Sequence, residues 1–335
     1  MASEFLAVEQ LKKLPYLGSI PRDGRTVPLL TFYEPAAADW HLYLRVRPGE
    51  LGRIAGGEPV SGSYFAANAV DLERDFEFAL GTLIAQRMSF LDILEQLNKL
   101  ESGVHRCSAV LEKYRILWTT KPGQARSASL LIQSELEYLL LLLRSVYDTL
   151  QVIVQAVTKK LIIRDGLNTR ASKNLPKSFR DVVMKGDHVL TVDEVQSRWR
   201  MPRPLADWYV QEATFFRLLR SLRDGIAHEG IRPPTVFETE WGFAIATDER
   251  PWTQVAEWVS TDRWNGSLAS LRSLFVEFVF HTLRATSRFG ESIESFVQLP
   301  EPILGNVKYF VRSPFGSHLV SLERIRGQPW ENRTG

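Results

Sequence analysis

The segment LLRSLRDGIAHEG, residues 218–230, sets an arginine, an aspartate and a histidine close together along the chain. Arg223 offers a permanently charged guanidinium whose fork of donors can take two phosphate oxygens at once. His228 offers an imidazole that gains and loses a proton near neutral pH. Asp224, beside Arg223, can orient either His228 or Arg220. These residue types suit transfer at a phosphate ester, where one group moves protons and another stabilises charge on the phosphate oxygens.

The helix that must carry them is predicted over 204–228, ending before Pro233-Pro234. On a helical wheel, Tyr209, Phe216, Leu219 and Ile226 fall within about 60° of Arg223. Arg217, Arg220, Asp224 and His228 occupy a separate polar sector. Arg223 therefore heads into the apolar face, and a buried guanidinium needs an anionic partner. Asp148 and Glu137 are the candidates by type and orientation. They lie on the longest regular segment, 128–163, which has neither Gly nor Pro. There Gln133, Glu137, Arg144, Asp148, Gln151 and Gln155 form one polar stripe roughly 60° wide on an otherwise apolar helix, the pattern of a helix enclosed in a bundle.

Around this pair the pattern predicts a mostly α chain. Trp40, Leu42, Leu44 and Val46 alternate with polar residues in WHLYLRVR, marking a strand with one buried face, and 1–70 reads as a small β-containing region. Helical spacing over 71–101, capped by Asn68 or Asp71, and again over 104–118 gives a helical region, 71–120. Residues 164–203 read as a polar connection, TVFETEWGFAIAT as a β-hairpin turning near Trp241-Gly242, and 264–289 as the last strong helix. Residues 291–335 are left as a tail.

Arg223-Asp224-Gly225-Ile226-Ala227-His228, with ELEYLLLLLRSVYDTLQ upstream and LPKSF between them, resembles the HEPN superfamily (higher eukaryote and prokaryote nucleotide-binding domains), bacterial subgroup, over roughly residues 128–290. The resemblance implies an antiparallel helical bundle, here with an inserted β-hairpin. In active members it also implies metal-independent RNA cleavage, usually with two motifs meeting across a homodimer. His228 would then move the proton, Arg223 would stabilise the phosphate and Asp224 would orient, with Asp148, Arg144, Glu137 and Arg220 in support. No cofactor is implied, and a protein partner such as an antitoxin in a defence setting follows only from the family. The competing reading is a binding module for nucleotide, RNA or protein, in which Arg223 and Asp148 form a structural ion pair.

Composition narrows the alternatives. In 335 residues, 41 Lys and Arg balance 39 Asp and Glu for a net charge of +2, so nucleic-acid binding requires a local basic patch. Lys173, Lys177 and Arg180 sit in such a stretch, which more often is a solvated loop. The single cysteine, Cys107, points to a reducing, cytoplasmic setting and to a packing role. The apolar run Leu139–Leu143 falls short of a membrane span. Scattered histidines give no metal-ligand spacing. A second Arg and His pair, Arg312 and His318, falls in a Pro- and Gly-bearing segment with no helix to align it. Trp199 and Trp208 read as core anchors of the motif helix.

Overall fold

The computed structural model describes residues 4–7, 24–25, 31–36, 38–47, 50–55, 58–119, 125–163, 175–228, 234–248, 251–257, 263–264, 268–303, 306–326 and 328. Strands β1 (Glu4–Ala7), β2 (Thr31–Glu34), β3 (Asp39–Arg47), β4 (Glu50–Ala55), β5 (Gly62–Ala66) and β6 (Asp75–Glu77) come first. Helices α1 (Ala79–Arg87), α2 (Leu91–Thr119) and α3 (Ala125–Lys160) follow, then β7 (Ile162–Ile163), α4 (Phe179–Val183), β8 (Met184–Lys185) and β9 (His188–Val189). After them come α5 (Val192–Trp199), α6 (Arg203–His228), β10 (Val236–Thr239), β11 (Gly242–Ala246), a 3-10 turn, β12 (Arg263–Trp264) and β13 (Leu268–Ser270). The remaining elements are α7 (Leu271–Phe296), β14 (Val297–Gln298), β15 (Lys308–Arg312), α8 (Gly316–Val320) and α9 (Leu322–Arg326). The described chain is mostly helical with small sheets.

Helices α2, α3, α6 and α7 share one apolar core. Their directions follow from paired contacts. Lys113 meets Glu135 while Lys160 meets Asp92, so α2 and α3 are antiparallel. Tyr209 bonds Gln151 while Asp224 approaches Arg144, so α3 and α6 are antiparallel too. Phe215 packs on Phe278 and Trp208 on Phe289, which reverses α7 against α6. Phe179 stands at the aromatic centre, 4.7 Å from the Phe216 ring and 5.2 Å from that of Tyr147.

A seven-stranded sheet lies beside the bundle in the order β1-β4-β3-β2-β5-β15-β6, antiparallel except between β2 and β5. A four-stranded sheet, β10-β11-β13-β12, contains the hairpin that turns at Glu240-Trp241. Gly242 follows that turn at φ +145°, a conformation that favours glycine. Ser270 ends this sheet and caps α7 by accepting the Ser273 N–H, so that helix runs 271–296 instead of the expected 264–289.

Five further expectations are corrected. The predicted helix over 71–101 is broken, because Phe76 is drawn into β6 opposite Val311. Asp71 caps no helix; its carboxylate accepts from the Glu73 N–H and from Arg74 Nε. The second break, at Met88–Phe90, starts α2, which then absorbs the helix predicted over 104–118. Of the connection over 164–203, residues 164–174 lie outside the described set, and the rest holds α4, α5 and a short hairpin. The segment left as a tail supplies β15, inserted between β5 and β6.

Candidate functional site

Helix α6 reaches its site because its buried face is fixed at three levels. Near its start, Trp208 Nε1 donates to the Ala285 carbonyl at 3.0 Å, which makes Trp208 the core anchor expected of it. At the very next residue, the Tyr209 hydroxyl donates to Gln151 Oε1 on α3. In the middle, the Glu212 carboxylate, 4% exposed, accepts from Arg288 Nη1 at 2.8 Å and from the Tyr147 hydroxyl at 3.4 Å. Burial raises the Glu212 carboxyl above the ordinary carboxylate range, against the pull of Arg288. Trp199 also anchors, its Nε1 donating to Val182 O at 3.1 Å.

The polar stripe of α3 performs two different tasks. Gln151, fully buried, and Gln155 donate to the carbonyls of Leu175 and Pro176, tying the LPKSF segment to α3. Ser178 of that segment caps α4 by accepting the Asp181 N–H. Asp148 accepts the Phe179 N–H, and burial lifts its carboxyl above the usual range while Arg144 and that hydrogen bond oppose the rise. Arg144 and Glu137, nearer the start of the helix on the same stripe, are half-buried.

At the end of α6 the charges converge. Asp224 Oδ1 accepts from Arg223 Nη1 at 2.8 Å, and Oδ2 accepts from Arg220 Nε at 3.0 Å. Arg144 reaches across from α3, its Nη1 lying 3.5 Å from Asp224 Oδ1. Each of the four side chains is about a quarter exposed, so the patch is neither sealed nor fully solvated. Burial pushes the Asp224 carboxyl up, but the Arg223 hydrogen bond and the charges of Arg220, Arg144 and Arg223 outweigh it and hold it below the ordinary carboxylate range. Three permanent cations thus surround one carboxylate.

Among the described residues no ion pair joins Arg223 to Asp148. The guanidinium at the end of a long flexible stem bends off the direction that its wheel position implies and meets the neighbouring Asp224 instead. The expected coupling of Asp224 to Arg220 is present. Helix α6 continues unbroken through Gly225 to His228, setting the His228 backbone one turn beyond Asp224; the His228 side chain lies outside the described residues. Lys173 also lies outside them. Lys177, on the tethered LPKSF segment, is exposed, and Arg180, just after it on α4, is half-buried.

Several charged groups went unsignalled in the sequence. Arg312, 1% exposed, makes a bidentate pair with Asp75 at 2.7 and 2.8 Å, pairs again with Glu58, and lies over the Trp40 ring. The apparent second motif is thereby accounted for, since His318 turns to Glu112 at 2.8 Å. His41 is mostly covered, 3.2 Å from Glu34, where strand alternation had it facing outward. His281 lies beside Glu277, as its helix position implies. Cys107 is buried and unpaired by any disulfide, its thiol pushed up by burial to about 12. Two adjoining cavities of about 660 and 630 Å³ flank the Glu77–Lys308 ion pair between the sheet and α7; neither is lined by the arginine cluster. Among the described residues no group of three or more His, Cys, Asp or Glu is placed to hold a metal ion.

Compared with family models, curated proteins and solved structures, the chain matches none. The HEPN likeness therefore rests on its own residues.

Proposed function

We propose that this protein binds RNA through the Arg144, Arg220, Arg223 and Asp224 patch and cleaves it there without metal, as a HEPN-type endoribonuclease. The observation that carries the reading is the convergence of three guanidiniums, from two helices, on one partly open carboxylate. A backbone phosphate is the ligand that such a patch suits, because its oxygens accept from the same forks. Arg223 and Arg220 hold the phosphate and stabilise charge on its oxygens in the transition state. Asp224 fixes the two arginines before RNA arrives. His228, at the end of the same helix, is assigned the proton on sequence grounds. The 2′-oxygen bonds to phosphorus, the bond from phosphorus to the 5′-oxygen breaks, and the 2′-hydroxyl proton ends on that 5′-oxygen. The products are a 2′,3′-cyclic phosphate and a free 5′-hydroxyl, and DNA is spared because it lacks the attacking group. Homodimerisation, the family's usual arrangement, belongs to this proposal.

A second reading, RNA binding without cleavage, is favoured by one feature. All three arginines already have a carboxylate to satisfy them, an arrangement that is stable without any reaction. The deciding experiment incubates end-labelled RNA with chelator and wild-type protein, His228→Ala or Arg223→Ala. Cleavage by wild type that drops about 100-fold or more in both variants supports the enzyme. RNA retained but uncut by wild type, and released by Arg223→Ala, supports the binding module. Equal cleavage by all three proteins removes the nuclease reading.

A further inference from the structure

Strand β6 is the last of the seven-stranded sheet, and among the described residues no strand pairs its outer edge. Its hydrogen-bonding direction follows from the ladder it makes with β15. The Phe78 N–H donates to the Tyr309 carbonyl at 3.0 Å. Antiparallel alternation then aims the Phe76 backbone groups at Val311 and turns those of Asp75 and Glu77 outward. Asp71 takes the outward Asp75 N–H on its carbonyl at 2.9 Å. The Glu77 N–H and C=O are left to whatever lies beside the strand. A three-residue edge is too short to template aggregation, yet one outward donor and acceptor suffice to seat a second chain.

The two cavities of about 660 and 630 Å³ lie along this edge. Both touch Glu77, the smaller extending toward Asn68 and the larger toward Arg87. Together they exceed the roughly 1,000 Å³ at which small-molecule pockets end, and their run along the strand suits an extended chain. Leu72, Phe76, Leu283, Leu319 and Val320 make the smaller cavity apolar, with Leu72 78% and Val320 41% exposed at its rim. The facing wall is one line of α7, Arg284, Ser287, Glu291 and Glu294, spaced by three and four. Glu291 and Glu294 are exposed and, among the described residues, make no ion pair. Between the two ends, Glu77 and Lys308 neutralise each other. The wall is therefore acidic at one end and carries an exposed cation, Arg284, at the other.

We propose that this groove takes an extended peptide segment of a partner protein as an added strand, with a basic residue at the Glu291–Glu294 end and an apolar residue in the Leu72 cavity. One peptide residue pairs with Glu77, its carbonyl accepting the Glu77 N–H and its own N–H donating to the Glu77 carbonyl. These main-chain bonds supply affinity for any sequence. The flanking cavities supply the choice, because Glu291 and Glu294 attract a cation and Arg284 repels it from the apolar end. The groove shares no residue with the arginine patch and stands whether or not RNA is cut.

Selection from a random twelve-residue peptide library on phage against the full chain tests it, followed by fluorescence anisotropy of the enriched peptide. The expected consensus has a Lys or Arg and a large apolar residue on opposite sides of one position. Leu72→Asp and Val320→Asp, both at exposed sites, should weaken that peptide about 10-fold or more, with circular dichroism confirming the fold. An N-methyl scan of the peptide should find one position, the residue facing Glu77, where binding falls by a similar factor. Glu291→Lys combined with Glu294→Lys should reject the peptide, and exchanging its basic residue for Glu should restore binding, a reversal that structural damage cannot produce. Arg223→Ala should bind the peptide as wild type does. The inference is overturned by no enrichment, by a peptide indifferent to Leu72→Asp or to the charge exchange, by an N-methyl scan without effect, or by loss of binding in Arg223→Ala. It is equally overturned if sedimentation velocity shows a second copy in the groove, released by Leu72→Asp.

Discussion

Replacing Arg288 with methionine isolates the anchor that holds the site helix against α7. The substitution keeps much of the apolar stem but leaves the Glu212 carboxylate, 4% exposed, with only the Tyr147 hydroxyl. A buried uncompensated carboxylate takes up a proton before it tolerates the charge. From the ordinary value of 4.5 for Glu212, protonation at pH 7 costs at most about 3.4 kcal/mol relative to the unfolded chain. Because burial already raises this carboxyl in the intact protein, the variant loses about 2–3 kcal/mol at pH 7. The sign is fixed by linkage: a carboxyl raised on folding makes the folded state bind more protons, so stability falls as pH climbs above the unfolded value. The loss should therefore shrink by up to about 1.4 kcal/mol per pH unit and nearly vanish close to pH 4.5. Urea unfolding at pH 5, 6, 7 and 8 measures the trend; at pH 7 the melting temperature should fall by about 3–4 °C for a chain of this length. Adding Glu212→Gln should flatten the pH dependence. An equal loss at pH 5 and pH 8, or a slope that survives in the double variant, would refute the reasoning.

Two further perturbations probe the sheet and the LPKSF tether. Asp75→Ala strands the Arg312 guanidinium inside the sheet with only the exposed Glu58 opposite it, and should cost about 3–5 kcal/mol in chemical denaturation, much of it recovered by adding Arg312→Leu. Gln151→Leu leaves the buried Tyr209 hydroxyl without its partner and the Pro176 carbonyl with Gln155 alone, and should cost about 1–3 kcal/mol, with hydrogen exchange rising first at Phe179–Val183; unchanged protection there would show that the amide tethers nothing.

Period and breakers made the long helices legible. The absence of Gly and Pro marked α3, and Pro233-Pro234 marked the region where α6 stops. What sequence withheld was long-range pairing. Phe76 has helical spacing with Leu80 and Leu83, yet becomes a strand residue because β15 comes from elsewhere in the chain to bond it. Within the site, the wheel set Arg223 and Asp224 on different sectors, although a guanidinium can swing around its own helix to the next residue. It also marked the polar side of α3 without saying that Gln151 and Gln155 spend their amides on LPKSF carbonyls and not on ligand.

The placement of β15 also governs how the molecule is made. Lys308 bonds Glu77, 231 positions earlier in the chain, and β15 separates two strands that emerge from the ribosome long before it. Until Arg312 has been synthesised, Asp75 waits without its cation and β5 and β6 wait with open hydrogen-bonding edges. Such loop closure over a great distance is slow. The nascent bundle must accordingly be shielded from aggregation through bare strand edges until the final insertion locks both halves together.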